Sequence, residues 1–160
     1  MLVADIRFCE GEDVDQVLAV DGTSPHPWPE NIIIRDLIVR DSIISYIGAF
    51  SQVDGSMLLG YAALGEEKGN GLLMNLVVLP RYHRRGIGVQ LVLASAEFAS
   101  GLGFFKLALR VRLTNYAALA LYSGLGFRCD ATRDSFYSDG SAAGYMSARL
   151  PLEIIETYSR

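Results

Sequence analysis

Val77-Val78-Leu79-Pro80-Arg81-Tyr82-His83-Arg84-Arg85-Gly86-Ile87-Gly88 decides the reading of this chain. An apolar run, Leu72 to Leu79, ends at a proline. A short basic turn follows, and an amphipathic stretch opens on two glycines. The first turn of a helix carries unpaired N–H groups and the positive end of the helix dipole. Glycine lets an anion approach those N–H groups closely. Arg81, Arg84 and Arg85 raise the local potential further. G-x-G alone is weak: it lacks both the lysine of a P-loop and the third glycine of a dinucleotide fingerprint. The alternative is an ordinary helix start with solvated arginines. Strand, basic turn and helix together favour a phosphate site.

Around this turn the chain reads as strands and helices in alternation. Downstream, residues 87, 91, 94, 98 and 102 are apolar, the spacing of one helical face, which predicts a helix over Gly86 to Leu102 closed by Gly101 and Gly103. Phe105 to Val111 reads as a strand and Asn115 to Gly124 as a short helix with Asn115 as N-cap. Phe127 to Arg133 and Tyr145 to Leu150 form a last hairpin around Asp139-Gly140. Upstream, Leu72 to Leu79 is apolar almost throughout apart from Asn75, as expected of a central strand. Ser45 to Phe50 and Met57 to Leu64 flank the hairpin signal Asp54-Gly55. A second turn is expected at Gly65-Glu66-Glu67-Lys68-Gly69-Asn70, with its charges solvated. Val3 to Phe8 reads as a strand and Glu10 to Val20 as a helix. Pro25, Pro27 and Pro29 mark a loop. Glu30 to Val39 fits helix or strand: Ile32-Ile33-Ile34 favours strand, length and Pro29 favour helix, and helix is preferred. The order β-α-α-β-β-β-α-β-α-β-β implies an α/β (α+β) fold, a mixed sheet covered by helices.

The 160 residues, 51% hydrophobic and 20% charged, are expected to form a single domain with its core at about 5–150 and a tail over 151–160. Cys9 and Cys129 are far apart, without the spacing of a disulfide framework or a zinc site, and a reducing cytoplasm fits. His26 and His83 cannot make a multi-histidine metal site, so no metal is expected. No apolar run has the roughly 18 residues of a membrane span, and the N-terminal residues do not read as a signal peptide. A net charge of −4 speaks against a broad nucleic-acid footprint.

The stretch His83-Arg84-Arg85-Gly86-Ile87-Gly88 resembles the Q/R-x-x-G-x-G/A signature of the GCN5-related N-acetyltransferase (GNAT) superfamily, with His83 at the first position. Other stretches are similar to its bacterial ribosomal-protein-alanine N-acetyltransferase branch. Pro27-Trp28-Pro29-Glu30 is similar to P-W-S-E. Asn115 to Tyr122 with Gly126-Phe127 is similar to N-x-x-A-I-x-L-Y-x-x-x-G-F. Arg133 to Tyr137 with Asp139-Gly140 is similar to R-x-x-Y-Y and its glycine turn, and Leu73 to Val78 to L-x-N-I-x-V. The resemblance runs from about residue 5 to 150.

It implies a mostly antiparallel twisted sheet of about seven strands with four helices, and an acetyl-CoA-dependent N-acetyltransferase working by direct transfer. Leu76, Val77 and Val78 would pair with the pantetheine arm. The backbone of Arg84, Arg85, Gly86, Ile87, Gly88 and Val89 would hold the pyrophosphate. Asn115 would contact the cofactor, a role compatible with N-capping. Tyr122 would be the general acid that protonates the leaving thiolate; a half-buried core tyrosine is the alternative. Pro27, Trp28, Asn75, Arg110 and Tyr137 would line the acceptor, although Trp28 also suits a plug at the core edge. His26 and His83 suit surface or capping roles.

The chain departs from the branch at one critical place. The branch carries L-E-V-R, with the glutamate as general base; here the residues are Leu109-Arg110-Val111-Arg112. A guanidinium stays protonated and accepts nothing. Ordered water held by backbone carbonyls or Asn75 is the preferred route for the proton. Another acid, such as Glu30, Glu66, Glu67 or Asp134, is a second route, and binding without efficient transfer a third. Ser135-Phe136 also replaces the branch's N-Y. The expected partners are acetyl-CoA and an amine acceptor such as a protein N-terminus, in a monomer or homodimer, with no nucleic acid or membrane. A small-molecule amine acetyltransferase and a non-catalytic acetyl-CoA-binding module are the alternatives.

Overall fold

A computed structural model describes residues 1–39 and 42–153, so most of the tail expected at 151–160 lies outside the described residues. The elements are β1 (Asp5–Phe8), α1 (Val14–Asp21), α2 (Glu30–Ile34), β2 (Ser45–Phe50), β3 (Leu58–Glu67), β4 (Asn70–Val78), α3 (Ile87–Gly101), β5 (Lys106–Arg112), α4 (Tyr116–Gly124), β6 (Arg128–Arg133) and β7 (Ala143–Arg149). This is the order read from the sequence. The strands form one seven-stranded sheet in the order β1-β2-β3-β4-β5-β7-β6. β1–β2, β2–β3, β5–β7 and β6–β7 are antiparallel. β4–β5 is parallel, pairing Gly71–Leu73 with Leu107–Leu109, and β4 continues to Val78 beyond that ladder. A parallel pair needs a crossover, and α3 supplies it. The fold is a mixed α/β sheet with helices.

The chain divides into two compact units, Met1–Gly65 with Met74–Ser95, and Glu66–Leu73 with Ala96–Arg160. In the first, Val17 and Val20 of α1 and Ile33 of α2 pack with Phe50, Leu58 and Tyr61 of the strands. Each of these side chains is at most 2% exposed, and burying one contributes about 1.5–3 kcal/mol. In the second, β5 alternates strictly. Leu107, Leu109 and Val111 are buried, while Ala108, Arg110 and Arg112 on the opposite face stay half-exposed. Arg110 lies directly across from Tyr145 of β7. The edge strand β6 is exposed along its whole length and carries Arg128, Asp130 and Arg133, charges that discourage edge-to-edge pairing.

Three local expectations need correcting. The helix expected from Glu10 begins as a 3-10 turn, Gly11–Asp13, because Asp13 Oδ2 accepts the Glu10 N–H at 2.8 Å and tightens the entry. The helix expected over Glu30–Val39 is α-helical only to Ile34 and continues as a π-helical turn, Arg35–Val39. This turn includes buried Asp36, which accepts the Tyr46 hydroxyl at 2.8 Å. The turn expected over Gly65–Asn70 shrinks to Lys68-Gly69. Both take positive φ, +53° and +80°, the conformation of a two-residue hairpin turn. Glu66 and Glu67 therefore remain in β3 instead of forming a solvated turn.

Candidate active site

The basic turn follows β4 as a 3-10 turn, Pro80–Tyr82, and α3 begins at Ile87. Arg84 has φ +60° and Gly86 φ +84°; these left-handed residues turn the backbone into the helix. No backbone carbonyl among the described residues accepts from the N–H groups of residues 84–89. This donor set suits the phosphates of a cofactor. Arg81 and Arg85 reach the Tyr82 ring at 5.6 and 5.8 Å from its centroid. His83 Nε2 lies 2.7 Å from the Val78 carbonyl oxygen. A carbonyl only accepts, so Nε2 carries the proton and His83 ties the loop to the end of β4. Gln90 fastens the loop from the other side. Its side chain accepts from Ala4 N–H at 2.9 Å and donates to Leu2 C=O at 2.7 Å, while Leu2 N–H donates to Arg85 C=O at 2.9 Å.

Asn75, the polar intruder of β4, belongs to a buried network. Its amide donates to Asp21 Oδ1 at 3.0 Å and to the Tyr61 hydroxyl at 2.8 Å. Tyr61 donates to the same Asp21 oxygen at 2.6 Å. Asp21 Oδ2 accepts the Trp28 N–H at 2.8 Å. One carboxylate, 2% exposed, thus joins α1, β3, β4 and the Pro-Trp loop. Trp28 packs partly buried against the core, while Pro27 is exposed. Burial first, then the bond to Asp21, pushes the Tyr61 phenol well above its ordinary range. Asn75 Oδ1 also accepts from Leu76 N–H at 3.1 Å. Gly60 allows β4 to come close: a Cβ there would lie 2.9 Å from the Val77 carbonyl oxygen.

In the second unit, both carboxylate oxygens of Glu67 accept from Arg110 Nη2. Arg112 donates to both oxygens of Asp139 at 2.9 Å, and its guanidinium stacks 3.9 Å from the Tyr137 ring centroid. The bonds from Ser141 and then from Arg112 hold the Asp139 carboxyl well below the usual range. Burial raises the Tyr137 phenol, against the opposing pull of Arg112 and Arg110. Phe136 sits edge-on to Tyr137 and Tyr145, at 4.9 and 5.9 Å. The structure thus gathers Arg110 and Tyr137 around one aromatic cluster.

Asn115 caps α4, its Oδ1 accepting from Ala118 N–H at 3.2 Å. Tyr122 is 7% exposed and packs 5.6 Å from the Phe127 ring. Burial pushes its phenol well above 10. No hydrogen bond to its hydroxyl is found among the described residues.

Sequence reasoning did not single out Asp21, Tyr61, Gln90 or Gly60. Asp21 fell just past the helix expected over Glu10 to Val20, and Tyr61 inside the strand expected over Met57 to Leu64; only their meeting across 40 positions of chain joins them. Glu67 was one acid among four, with nothing in the spacing to connect it to Arg110.

Comparison with known proteins matches this geometry to a family. The acetyltransferase (GNAT) family matches residues 12–127. An N-alpha-acetyltransferase, RimI, of Mycobacterium tuberculosis is 35% identical over 127 residues, covering 77% of this chain and 75% of that protein. An N-alpha-acetyltransferase of Saccharolobus solfataricus is 28% identical over 156 residues, covering 90% and 91%. The crystal structure of the ribosomal-protein-S18-alanine N-acetyltransferase from Escherichia coli superposes with a TM-score of 0.80 at 24% identity, covering 92% of this chain and 94% of that one. A strand that leads through a basic turn into a helix with free leading amides is thus matched across most of the chain, and the protein belongs to the acetyltransferase (GNAT) family and is an acyltransferase.

Proposed function

We propose that this chain transfers the acetyl group of acetyl-CoA directly to the N-terminal amine of a protein or peptide, in the manner of a ribosomal-protein-alanine acetyltransferase, in the cytoplasm. The observation that carries this reading is similarity along most of the chain to N-alpha-acetyltransferases. Bound acetyl-CoA supplies a thioester whose carbonyl carbon accepts the amine. The pyrophosphate rests on the N–H groups of residues 84–89, which lack backbone acceptors among the described residues. The pantetheine amides pair with the C=O of Leu76 and the N–H of Val78, on the same edge of β4 by strand alternation. Leu76 N–H and Val78 C=O are already engaged, by Asn75 and His83. Val77, between them, keeps β4 close to Gly60. Asn115 contacts the cofactor while capping α4.

Tyr122 gives its proton to the departing sulfur. Burial keeps the phenol protonated, so its O–H is in place to hydrogen-bond and neutralise the sulfur as the C–S bond breaks. Pro27, Trp28 and Tyr137 border the acceptor, with Asn75 and Arg110 presenting polar groups. The Asp21 bond to Trp28 N–H fixes the Pro-Trp loop.

The test is a thiol-release assay with purified protein, acetyl-CoA, short peptides with different N-terminal residues, and small amines. Turnover on peptides with acetylation at the α-amine by mass spectrometry is expected. Turnover on small amines with none on peptides would refute the acceptor assignment. Tight acetyl-CoA binding without thiol release on any acceptor would refute transfer.

A further inference from the structure

We propose that one face of the three strands β5, β7 and β6 docks an extended, acidic segment of a partner polypeptide. Strand register gathers the cations. Residues directly opposite in an antiparallel pair share a face, as do alternate residues of one strand. Lys106 lies opposite Arg149, Ala108 opposite Ser147, and Arg112 opposite Ala143. From the other side of β7, Arg128 lies opposite the same Ser147 and Arg133 opposite the same Ala143. Lys106, Arg110, Arg112, Arg128, Arg133 and Arg149 therefore share one face, within one compact unit. Lys106, Arg128, Arg133 and Arg149 are exposed.

Two of these cations already hold carboxylates: Arg110 takes Glu67 and Arg112 takes Asp139. The four exposed ones have no carboxylate in ion-pair contact among the described residues. Like charges directly opposite on neighbouring strands are destabilising. Lys106 nevertheless faces Arg149, with Arg128 one pair further along. Folding gains nothing from this grouping, whereas an anion laid across it would relieve the repulsion. Lys106, Arg128 and Arg149 line a cavity of about 420 Å³, together with Ser147 and the acids Asp130 and Glu153. The Ser147 hydroxyl donates to Asp130 Oδ2 at 2.5 Å, so one of those acids is partly satisfied from within.

The spacing suits a peptide. From Lys106 to Arg112 the face runs the length of β5, about 20 Å at the rise of a strand. An extended segment with acids at alternate positions puts its carboxylates on one side with the same period of two. Carboxylates spaced in this way can pass between Asp130 and Glu153. A polynucleotide carries its charge continuously and would meet both acids, on a chain whose net charge is −4.

The experiment measures fluorescence anisotropy of a labelled peptide of alternating Glu and Ser, its Gln counterpart and a single-stranded DNA oligonucleotide. The peptides are blocked at the N-terminus, so the outcome is independent of the transfer reading. Wild type should bind the Glu peptide at least tenfold more tightly than the Gln peptide, at about two- to fivefold per contacted charge, and lose that margin in high salt. Lys106→Gln/Arg128→Gln/Arg149→Gln should weaken binding about tenfold or more, with Tm equal to or above that of wild type because the repulsion is gone. Lys106→Arg/Arg128→Lys/Arg149→Lys keeps the charges and should keep the affinity. Asp130→Asn should tighten binding about two- to fivefold, a gain that damage to the fold cannot produce, so it decides if the triple variant unfolds. Arg35→Gln, in the other compact unit, should match wild type. Equal affinity for the Glu and Gln peptides, or no binding to either, would overturn the proposal. So would tighter binding of the oligonucleotide than of the Glu peptide, an equal loss in Arg35→Gln, or no gain in Asp130→Asn. Self-association by sedimentation that the triple Gln variant abolishes would instead assign the face to a second copy of this chain.

Discussion

Replacing Tyr61 by Phe isolates one hydroxyl in the network around Asp21. Phenylalanine fills the same space, so no cavity opens, and the stacking on Tyr46 at 5.6 Å is kept. What disappears is the 2.6 Å bond to a carboxylate that is 2% exposed. A hydrogen bond to a charged group contributes about 1.5–3 kcal/mol. Asn75 also loses one acceptor, but it is half-buried and retains Asp21, so its loss adds at most about 1 kcal/mol. Asp21 keeps two donors, Asn75 and Trp28 N–H, and is not orphaned. The expected destabilisation is therefore about 2–3 kcal/mol. For a chain of this length, that lowers Tm by roughly 4–12 °C. Urea unfolding at 25 °C is the assay, with the m-value expected to stay constant. Asp21→Ala should cost more, about 4 kcal/mol or above, because it leaves the Tyr61 hydroxyl proton and the Trp28 N–H without acceptors and opens a void. A Tyr61→Phe loss below about 0.5 kcal/mol would refute the reasoning, since it would mean that the carboxylate gains nothing from this bond.

Tyr122→Phe should reduce kcat by about 10²-fold with little change in KM for acetyl-CoA or in Tm, because no described residue bonds the hydroxyl; a rate within twofold of wild type would exclude the acid role. Gly86→Ala should weaken acetyl-CoA binding about tenfold by calorimetry, since φ +84° costs a side chain about 1–2 kcal/mol and the new Cβ would meet Met1 Cγ at 2.7 Å. Gly103→Ala, at φ +93° with open space around it, should share the backbone strain without the loss of affinity. Alkaline pH should destabilise the fold. The Tyr46, Tyr61 and Tyr122 phenols are raised, chiefly by burial, and the Cys9 thiol is pushed up to about 12. Groups raised in the folded state contribute stability below their unfolded pKa values, about 8.5 for Cys and 10 for Tyr, and lose it as pH rises toward the folded values. Tm should hold steady to about pH 8 and fall progressively above pH 9–10; an unchanged Tm at pH 10.5 would contradict this.

Much of the fold was legible because local signals agreed. The period of α3, the alternation of β5 and the Asp54-Gly55 turn each depend on residues near one another in the chain. The basic turn between β4 and α3 was legible for the same reason: strand, arginines and glycines occupy one continuous stretch. The misread places have mixed causes, some local and some not. The end of α2 depends on Asp36 meeting Tyr46 of β2, and the breadth of the 65–70 turn depends on which residues tolerate positive φ. The partner of Arg110 was hidden because Glu67 lies 43 positions away and looks like any exposed acid in a charged turn. Asn75 was noticed as an anomaly, but its companions Asp21 and Tyr61 carry no local mark.

The clasp made by Gln90 has a thermodynamic consequence. One side chain links the amide of Ala4 and the carbonyl of Leu2 to the first turn of α3, and Leu2 N–H reaches Arg85. An anion that steadies this turn also steadies the extreme amino-terminal residues. Their amide hydrogen exchange should therefore slow when acetyl-CoA is added. Reciprocity requires that Gln90→Ala, by freeing that segment, weaken the ligand by the same coupling free energy that the ligand lends to the segment.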